Sequence, residues 1–336
     1  MMPVLLWTDM LVFLLVACGV GAGFYVSRRE YLLASWRRVG ESRAGMASLT
    51  VLLVFVAVGL LDSLHYRPRL EAADGRPANG YGTEVMSALD ALLQPLRAGG
   101  EKTYSAPLAA HLYARETVEM PDGSQARVFP RLKHGGAHLK DVEAEWGRDV
   151  LLRVLRGLAL AVLCGLTLAA LAVQSAARRW GVGWQAAWRR IRRGETRYAW
   201  HAVLITLGAL LLLAGPAISL AGGYHVFGTD KVGQDVLYLT LKSIRTGLVI
   251  GTITTLSMLP FAVALGIVAG YLGGWVDDVI QYVYTTLNSI PGVLLIAAAV
   301  LMVQVAIDTH PDWFATAAHR ADARLLALCL ILGVTS

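Results

Sequence analysis

Residues 228–236 read Gly-Thr-Asp-Lys-Val-Gly-Gln-Asp-Val, and an apolar run over residues 246–272 follows them. The run ends in Ala-Gly-Tyr-Leu-Gly-Gly-Trp-Val-Asp at 269–277, and a second apolar run from Val279 contains Ser-Ile-Pro-Gly at 289–292. Glycine permits backbone conformations that other residues resist, so the middle segment predicts a tight turn. Proline removes a helical hydrogen bond, so the last segment predicts a break. This stretch therefore predicts two membrane spans joined by a glycine hairpin.

The composition also indicates a membrane protein. The chain has 336 residues, of which 56 % are hydrophobic and 16 % are charged, whereas about a quarter of the residues in soluble domains are charged. A helix needs about 20 apolar residues to cross a bilayer core. Six segments are candidate spans: 4–26, 47–64, 151–173, 198–222, 246–270 and 279–303. The second is short, so it is expected either to extend further or to lie at the interface, and a seventh span starts near residue 323. Because these runs lack the alternation of a membrane barrel, we predict an all-α polytopic membrane protein.

The distribution of arginine predicts the orientation. The net charge is +6, and many of the arginines fall in residues 27–46 and 174–197, between apolar runs. Short basic loops stay on the cytoplasmic side, so both segments are predicted to be cytoplasmic. Residues 65–150 and 223–243 are then extracytoplasmic, and the 271–278 hairpin is cytoplasmic. The basic charge is thus attributed to topology rather than to nucleic-acid binding.

The basic connector 174–197 contains three tryptophans at intervals of four residues, Trp180, Trp184 and Trp188. This spacing places them on one face of a helix, with arginines on the other faces. The pattern predicts a helix that lies in the membrane interface. A topological anchor and a docking site for a partner are both consistent with it.

The segment 65–150 is the sizeable polar part of the chain. Short helical patterns at Val85–Leu96 and Ala106–Ala114 alternate with turn signals at Pro121-Asp122-Gly123 and His134-Gly135-Gly136. A loop of this length without structure would be unusual. We predict a small extracytoplasmic domain or an ordered loop.

The acidic turn before the first span predicts a capped helix. Thr229 or Asp230 is placed to cap a helix that begins near Lys231, because their side-chain oxygens accept free amide hydrogens of a first turn. Asp235 lies one turn later and is predicted to pair with Lys231. In the same way Asp277 is predicted to cap the helix after the hairpin. The turn is either a capped surface helix or a docking element or outer gate.

Several isolated residues within or near the spans are candidate sites. Pro260 and Pro291 are predicted to kink or unwind their helices. Asp62 lies near the end of the second span, where a carboxylate is expected to reach water. His134 and His138 are four residues apart, but two intervening glycines argue against a shared helical face, so no metal site is expected. The sequence has no phosphate-binding loop, so neither ATP binding nor any cofactor is expected in this chain.

The three opening segments together resemble the inner-membrane permease subunits of ABC transporters, in particular the dipeptide, oligopeptide and nickel group. The family pattern is GTDxxGRDV before a span, AGYxGGWxD after it, and an SIPG-like break in the next span. The resemblance covers about residues 198–336, with Gln234 where the family has arginine. The residues that match, interpreted as structural or gating positions, include Gly228, Thr229, Asp230, Gly233, Asp235, Gly270, Tyr271, Gly273, Gly274, Asp277, Ser289, Pro291 and Gly292.

The resemblance implies a transport subunit rather than an enzyme. Residues 198–336 would form part of a permease core like that of type I ABC importers. The additional parts would be N-terminal spans at 1–64, an extracytoplasmic insertion at 65–150, and a span with a basic connector at 151–197. The implied partners in a bacterial inner membrane are a second homologous permease, cytoplasmic ATPase subunits, an extracytoplasmic solute-binding protein and the lipid bilayer, without nucleic acid. The implied cargo is short peptides or related solutes such as nickel complexes.

The resemblance also implies a further segment beyond Ser336. In the family an ATPase-coupling loop comes after the span that begins here near Ala323, and the sequence ends at Ser336. We therefore expect a C-terminally incomplete permease. The alternative hypothesis is a membrane-anchored sensor or assembly factor that works through residues 65–150.

Overall fold

A computed structural model describes residues 2–71, 77–119, 125–310, 313 and 316–335. The structure is 72 % helical, which confirms the predicted all-α class. The helices are α1 Trp7–Ser27, α2 Glu30–Glu41, α3 Arg43–Ser63, α4 Ala88–Leu92, α5 Gln94–Ala98, α6 Val142–Trp180, α7 Trp184–Arg193, α8 Trp200–Ala221, α9 Val236–Leu272, α10 Gly274–Ser289, α11 Gly292–Thr309 and α12 Ala317–Thr335. The short strands are β1 Met2–Val4, β2 His65–Arg67, β3 Arg69–Glu71, β4 Pro77–Tyr81, β5 Met86–Ser87, β6 Glu116–Glu119 and β7 Gln125–Val128.

Within the described residues, six helices are long and apolar enough to cross a membrane: α1, α3, α6, α8, α9 and α11. At most 11 % of the most apolar window of each helix is buried inside the protein. Exposing this much apolar surface to water is unfavourable. The outward-facing apolar side chains therefore indicate that lipid surrounds these helices. The chain is therefore a multi-pass membrane protein.

The last part of the chain differs from the predicted spans. The predicted span 279–303 is divided, because α10 ends at Ser289 and α11 begins at Gly292. The membrane-capable helix is α11, whereas α10 carries acidic residues in its first two turns. The final helix begins at Ala317, before the predicted start near 323. Hydropathy located the apolar residues, and the proline break set where the helices end.

The basic connector also differs from its prediction. The helix α6 continues to Trp180 and ends at Gly181, which adopts a left-handed conformation with φ of 63°. A new helix, α7, begins only at Trp184. Trp180 therefore lies on a different helix from Trp184 and Trp188, because glycine in the left-handed region terminates the preceding helix.

Residues pack into two compact units, and each is described separately. The first unit contains Met1–Gly19, Gly59–Leu89 and Ser243–Ser336, and the second contains Val20–Val58 and Asp90–Lys242. In the first unit, strand β2 pairs antiparallel with both β1 and β5. Helices α11 and α12 pack together there and bury Ile307 and Cys329.

In the second unit, α6 and α8 form the main helix pair. Gly157 and Gly215 face each other so closely that a Cβ atom on either would lie 2.5 Å from the other's carbonyl oxygen. Small residues let membrane helices approach in this way. Helix α7 packs on the pair through Ala187 and Ile191, which contact the buried Val173.

The described residues of 90–119 and 125–150 in this unit are held by contacts with each other and with the 223–235 turn. Strands β6 and β7 form an antiparallel hairpin, and the turn predicted at residues 121–123 lies outside the described residues. The helix predicted at Ala106–Ala114 is wrong. The Leu108 amide donates to the His225 carbonyl oxygen, and the Leu112 amide donates to the Pro130 carbonyl oxygen. These tertiary hydrogen bonds take the amide hydrogens that a helix would use internally.

Candidate functional site

The motif turn before α9 is a glycine-dependent loop. Gly228 and Gly233 have φ values of 76° and 82°, in the left-handed region that favours glycine. A Cβ atom at Gly228 would lie 2.2 Å from the Ser105 carbonyl oxygen, and one at Gly233 would lie 1.8 Å from that of Glu101. Both glycines are therefore required by backbone conformation and by the close approach of residues 101–105.

The acidic residues of the turn close the loop and cap the span. Asp230 Oδ1 accepts hydrogen bonds from the amides of Val232 and Gln234, at 2.9 and 2.8 Å. Asp235 Oδ1 accepts from the Tyr238 amide at 3.1 Å, in the first turn of α9. The predicted cap at Thr229 or Asp230 is therefore wrong. Because Gly233 interrupts any helix from residue 231, α9 begins at Val236 and Asp235 caps it.

Thr229 joins the turn to the segment after residue 100. Its hydroxyl donates to the Thr103 carbonyl oxygen at 2.8 Å and lies 3.0 Å from Ser105 Oγ. The side chain is almost fully buried. Thr229 therefore positions the loop from inside the fold and does not cap a helix.

The turn contains a buried charged triad, defined here as His225, Asp235 and Glu101. His225 Nδ1 donates to Asp235 Oδ2 at 2.7 Å, and His225 Nε2 lies 3.5 Å from Glu101 Oε1, an ion-pair contact without hydrogen-bond geometry. The three side chains are 5 %, 1 % and 3 % exposed, respectively. The prediction that Asp235 pairs with Lys231 is wrong, since the carboxylate turns inward to the imidazole.

Glu101 also binds the backbone of a second segment, at residues 133–135. Its carboxylate accepts the amides of Lys133, His134 and Gly135 at 3.0, 2.7 and 3.3 Å. One side chain thus fixes the predicted turn at residues 134–136 and faces the imidazole of His225. The triad connects three segments that are distant in sequence.

The environment of the triad shifts the pKa values of His225 and Glu101 towards their charged forms. Burial alone would lower the pKa of His225, but the hydrogen bond and charge of Asp235, followed by the nearby carboxylate of Glu101, outweigh it and raise that pKa above its ordinary value. Burial alone would raise the pKa of Glu101, but three backbone amides and His225 lower it overall. The triad therefore places the imidazole ring of His225 between two carboxylates, an arrangement that fixes the loop.

A second ion pair involves α9, at Lys242, two turns after the Asp235 cap. Lys242 Nζ donates to both carboxylate oxygens of Asp90, at 2.8 and 2.9 Å. The Tyr238 hydroxyl donates to Asp90 Oδ1 at 2.6 Å. The start of α9 is therefore bonded to α4 as well as to the segment near residue 101.

The first unit has its own buried polar network, centred on Arg245. The guanidinium contacts Asp9 and Thr8, with Arg245 Nη2 2.7 Å from Thr8 Oγ1. His65 Nδ1 donates to Asp9 Oδ2 at 2.8 Å, and the hydroxyl of Thr8 donates to Asp322. The side chains of Arg245 and Asp9 are 12 % and 0 % exposed. This network joins the first and last helices of the chain to α9.

Sequence reasoning missed this second network. The available signal was a set of isolated charges in or beside apolar runs, which are costly in a bilayer and are therefore usually paired. The expectation that Asp62 reaches water is also wrong. Its side chain is buried and accepts a hydrogen bond from Ser87 Oγ at 2.7 Å. The triad residues His225 and Glu101 carry no sequence signal that connects them.

The hairpin motif lies in the first unit and forms the predicted turn. Gly273 and Gly274 have φ values of 57° and 54° and connect α9 to α10. Gly270 and the exposed Tyr271 belong to the last turn of α9. Asp277 lies in the first turn of α10 and accepts from Gln281 Nε2, so the prediction that it caps the helix is wrong.

The break motif also adopts its predicted form. Ser289 ends α10, Pro291 is the N-cap residue of α11, and Gly292 begins that helix. Pro260 lies inside α9, which continues through it. The motif residues therefore define turns and helix ends in both units.

Three relatives show what part of the chain is similar to. An oligopeptide transport system permease protein, OppC, of Mycobacterium tuberculosis is 34 % identical over 29 % of this chain and 40 % of its own length. A dipeptide transport system permease protein, DppC, of Bacillus subtilis is 27 % identical over 37 % of this chain and 43 % of its own length. A glutathione transport system permease protein, GsiD, of Pectobacterium atrosepticum is 34 % identical over 23 % of this chain and 25 % of its own length.

The similarity is confined to part of each protein. The chain spans less than half the length of these curated relatives. No family model matches the chain. No solved structure matches it either.

Proposed function

We propose that this chain is a membrane subunit of an ATP-driven importer in the bacterial inner membrane, because part of it is similar to peptide ABC transporter permeases. The cargo is short peptides or related small solutes, with nickel complexes as a narrower possibility. The chain contributes helices to the pathway and does not hydrolyse ATP. Cytoplasmic ATPase subunits supply the energy, a second homologous permease completes the pathway, and an extracytoplasmic solute-binding protein delivers cargo.

One observation carries this proposal beyond sequence similarity: the family turn is built as a rigid support at the start of a span. Asp235 caps α9, and His225, which also contacts Glu101, holds Asp235 from inside the fold. Alternating access requires helices that move as rigid bodies. A span anchored in this way transmits movement between its two ends. The turn therefore acts as the extracytoplasmic anchor of α9, and the segment at residues 101–105 provides the structure that holds it.

The control for this role is an exposed acidic residue of the same unit, Glu143. In a strain lacking the gene, uptake of a radiolabelled dipeptide is expected to fall to background and to return with the wild-type gene. Asp235→Asn should restore less uptake than Glu143→Gln, since Glu143 is exposed in the first turn of α6. Unchanged dipeptide, tripeptide and nickel uptake in the deletion strain would refute the importer function.

The proposed orientation has an independent test. In a variant without its native cysteines, Tyr113→Cys should react with a membrane-impermeant maleimide in intact cells, because Tyr113 is 75 % exposed. Glu195→Cys, in the basic connector, should react only after the membrane is permeabilised. The reverse labelling would overturn the orientation.

A further inference from the structure

The end of α6, the helix α7 and the start of α8 enclose two adjoining clefts in the second unit. One cleft, of about 530 Å³, is lined by Arg190, Arg197, Tyr198 and other residues. The other, of about 240 Å³, is mostly apolar. Trp180 and Trp200 line both clefts. The two clefts are therefore neighbours, one with arginines and one mostly apolar, and two tryptophans border both.

The first cleft is cationic. Arg190 and Arg197 contribute two guanidinium groups to its wall, and Glu195 contributes a carboxylate. That carboxylate lies 3.7 Å from Arg193, which is outside the wall. Glu195 is therefore already compensated, and the cleft keeps an excess of positive charge. Guanidinium groups present several donors in a planar arrangement that suits phosphate oxygens.

The second cleft is suited to a hydrocarbon chain. Ala172, Ala176 and Leu204 line it, on helices α6 and α8, which are membrane-capable. Arg179 lies at its edge. Small side chains on α6 leave space there, and the packing of α7 through Ile191 closes one side. Tryptophan is favoured where hydrocarbon meets headgroups, which is the position of the two shared tryptophans.

We propose that this site binds one anionic phospholipid from the cytoplasmic leaflet. The phosphate lies between Arg190 and Arg197, and an acyl chain follows Ala172 and Leu204. Charge and shape select this ligand, because a zwitterionic lipid brings no net negative charge and inorganic phosphate gains nothing from the apolar cleft. Basic pockets between membrane helices hold anionic headgroups by this chemistry. The proposal depends on the predicted orientation and not on peptide import.

Native mass spectrometry of the purified full chain tests this site with phosphatidylglycerol and phosphatidylcholine. The wild type is expected to retain phosphatidylglycerol in preference to phosphatidylcholine. The double variant Arg190→Gln, Arg197→Gln should bind phosphatidylglycerol about 10- to 30-fold more weakly, as expected when two lipid-facing charges are lost. The matched control is the double variant Arg189→Gln, Arg192→Gln. It also removes two exposed arginines, both from α7, but neither residue lines a cleft.

A separate variant tests whether the apolar cleft contributes to lipid binding. Ala172→Phe fills the hydrocarbon cleft and leaves every arginine in place, so it should also weaken phosphatidylglycerol binding. Each variant is first checked for a single elution peak and wild-type helix content. Equal losses in the two arginine variants would overturn the proposal, since they would indicate only diffuse surface charge. Equal retention of both lipids, or displacement of the lipid by inorganic phosphate without any effect of Ala172→Phe, would also overturn it.

Discussion

Replacing His225 by alanine should loosen the turn that caps α9. The change leaves the carboxylates of Asp235 and Glu101 buried without their shared cation. Breaking a buried ion pair costs about 3–5 kcal/mol. Both carboxylates keep backbone amide donors, so we expect the lower end, about 3 kcal/mol, or roughly a 100-fold increase in the opening equilibrium of the turn.

The same variant should change the pH dependence of local stability. The folded-state pKa of His225 is raised, so its stabilisation is complete below about pH 6.5 and is lost as the pH rises through the folded-state pKa. The pKa of Glu101 is lowered, so its stabilisation is present above pH 4.5 and is lost as the pH falls through the folded-state pKa. The wild-type turn should be most stable between these limits. His225→Ala should lose the alkaline decline.

Hydrogen exchange in lipid nanodiscs measures this opening directly. The Tyr238 and Leu239 amides, which bond to Asp235, are compared between pH 5 and pH 9 after correction for intrinsic exchange rates. The control is His134→Ala, because His134 contacts Glu101 only through its backbone amide. An alkaline decline of equal size in the wild type and His225→Ala would refute the reasoning, as would an equal loss of protection in His134→Ala.

Three further changes test other parts of the fold, each by SDS-induced unfolding followed by circular dichroism. Arg245→Met should destabilise the chain by about 3–5 kcal/mol because it leaves Asp9 buried without its cation. Adding Asp9→Asn should cost less than the sum of the single changes, and simple additivity would contradict a direct pair. Gly157→Leu should cost about 1–3 kcal/mol by overpacking against Gly215, and an unchanged midpoint would contradict the close helix contact. Gly273→Ala should cost about 1–2 kcal/mol because of its positive φ, and Gly273→Asn should cost less.

The local motifs were predictable because their causes are local. A glycine pair after a span permits the positive φ values seen at Gly273 and Gly274. Pro291 ends a helix through its own ring, so the break at residues 290–291 required no tertiary information. The predictions were wrong where several residues compete for the same structural role. Thr229 and Asp230 are both residue types that cap helices, while the position of Gly233 decided that the helix starts later.

Hydropathy alone determined the class of this protein, because a bilayer requires long apolar helices whatever their neighbours are. Only the tertiary structure decided which charges meet. His225 contacts Asp235 and also Glu101, which is more than a hundred residues away in sequence, and Arg245 contacts Asp9 near the start of the chain. The physical reason is that a buried charge must find a partner within a few ångströms, while the sequence records only that the charge is present. The fold brings such partners together, and no sequence periodicity predicts which charged groups will lie next to each other.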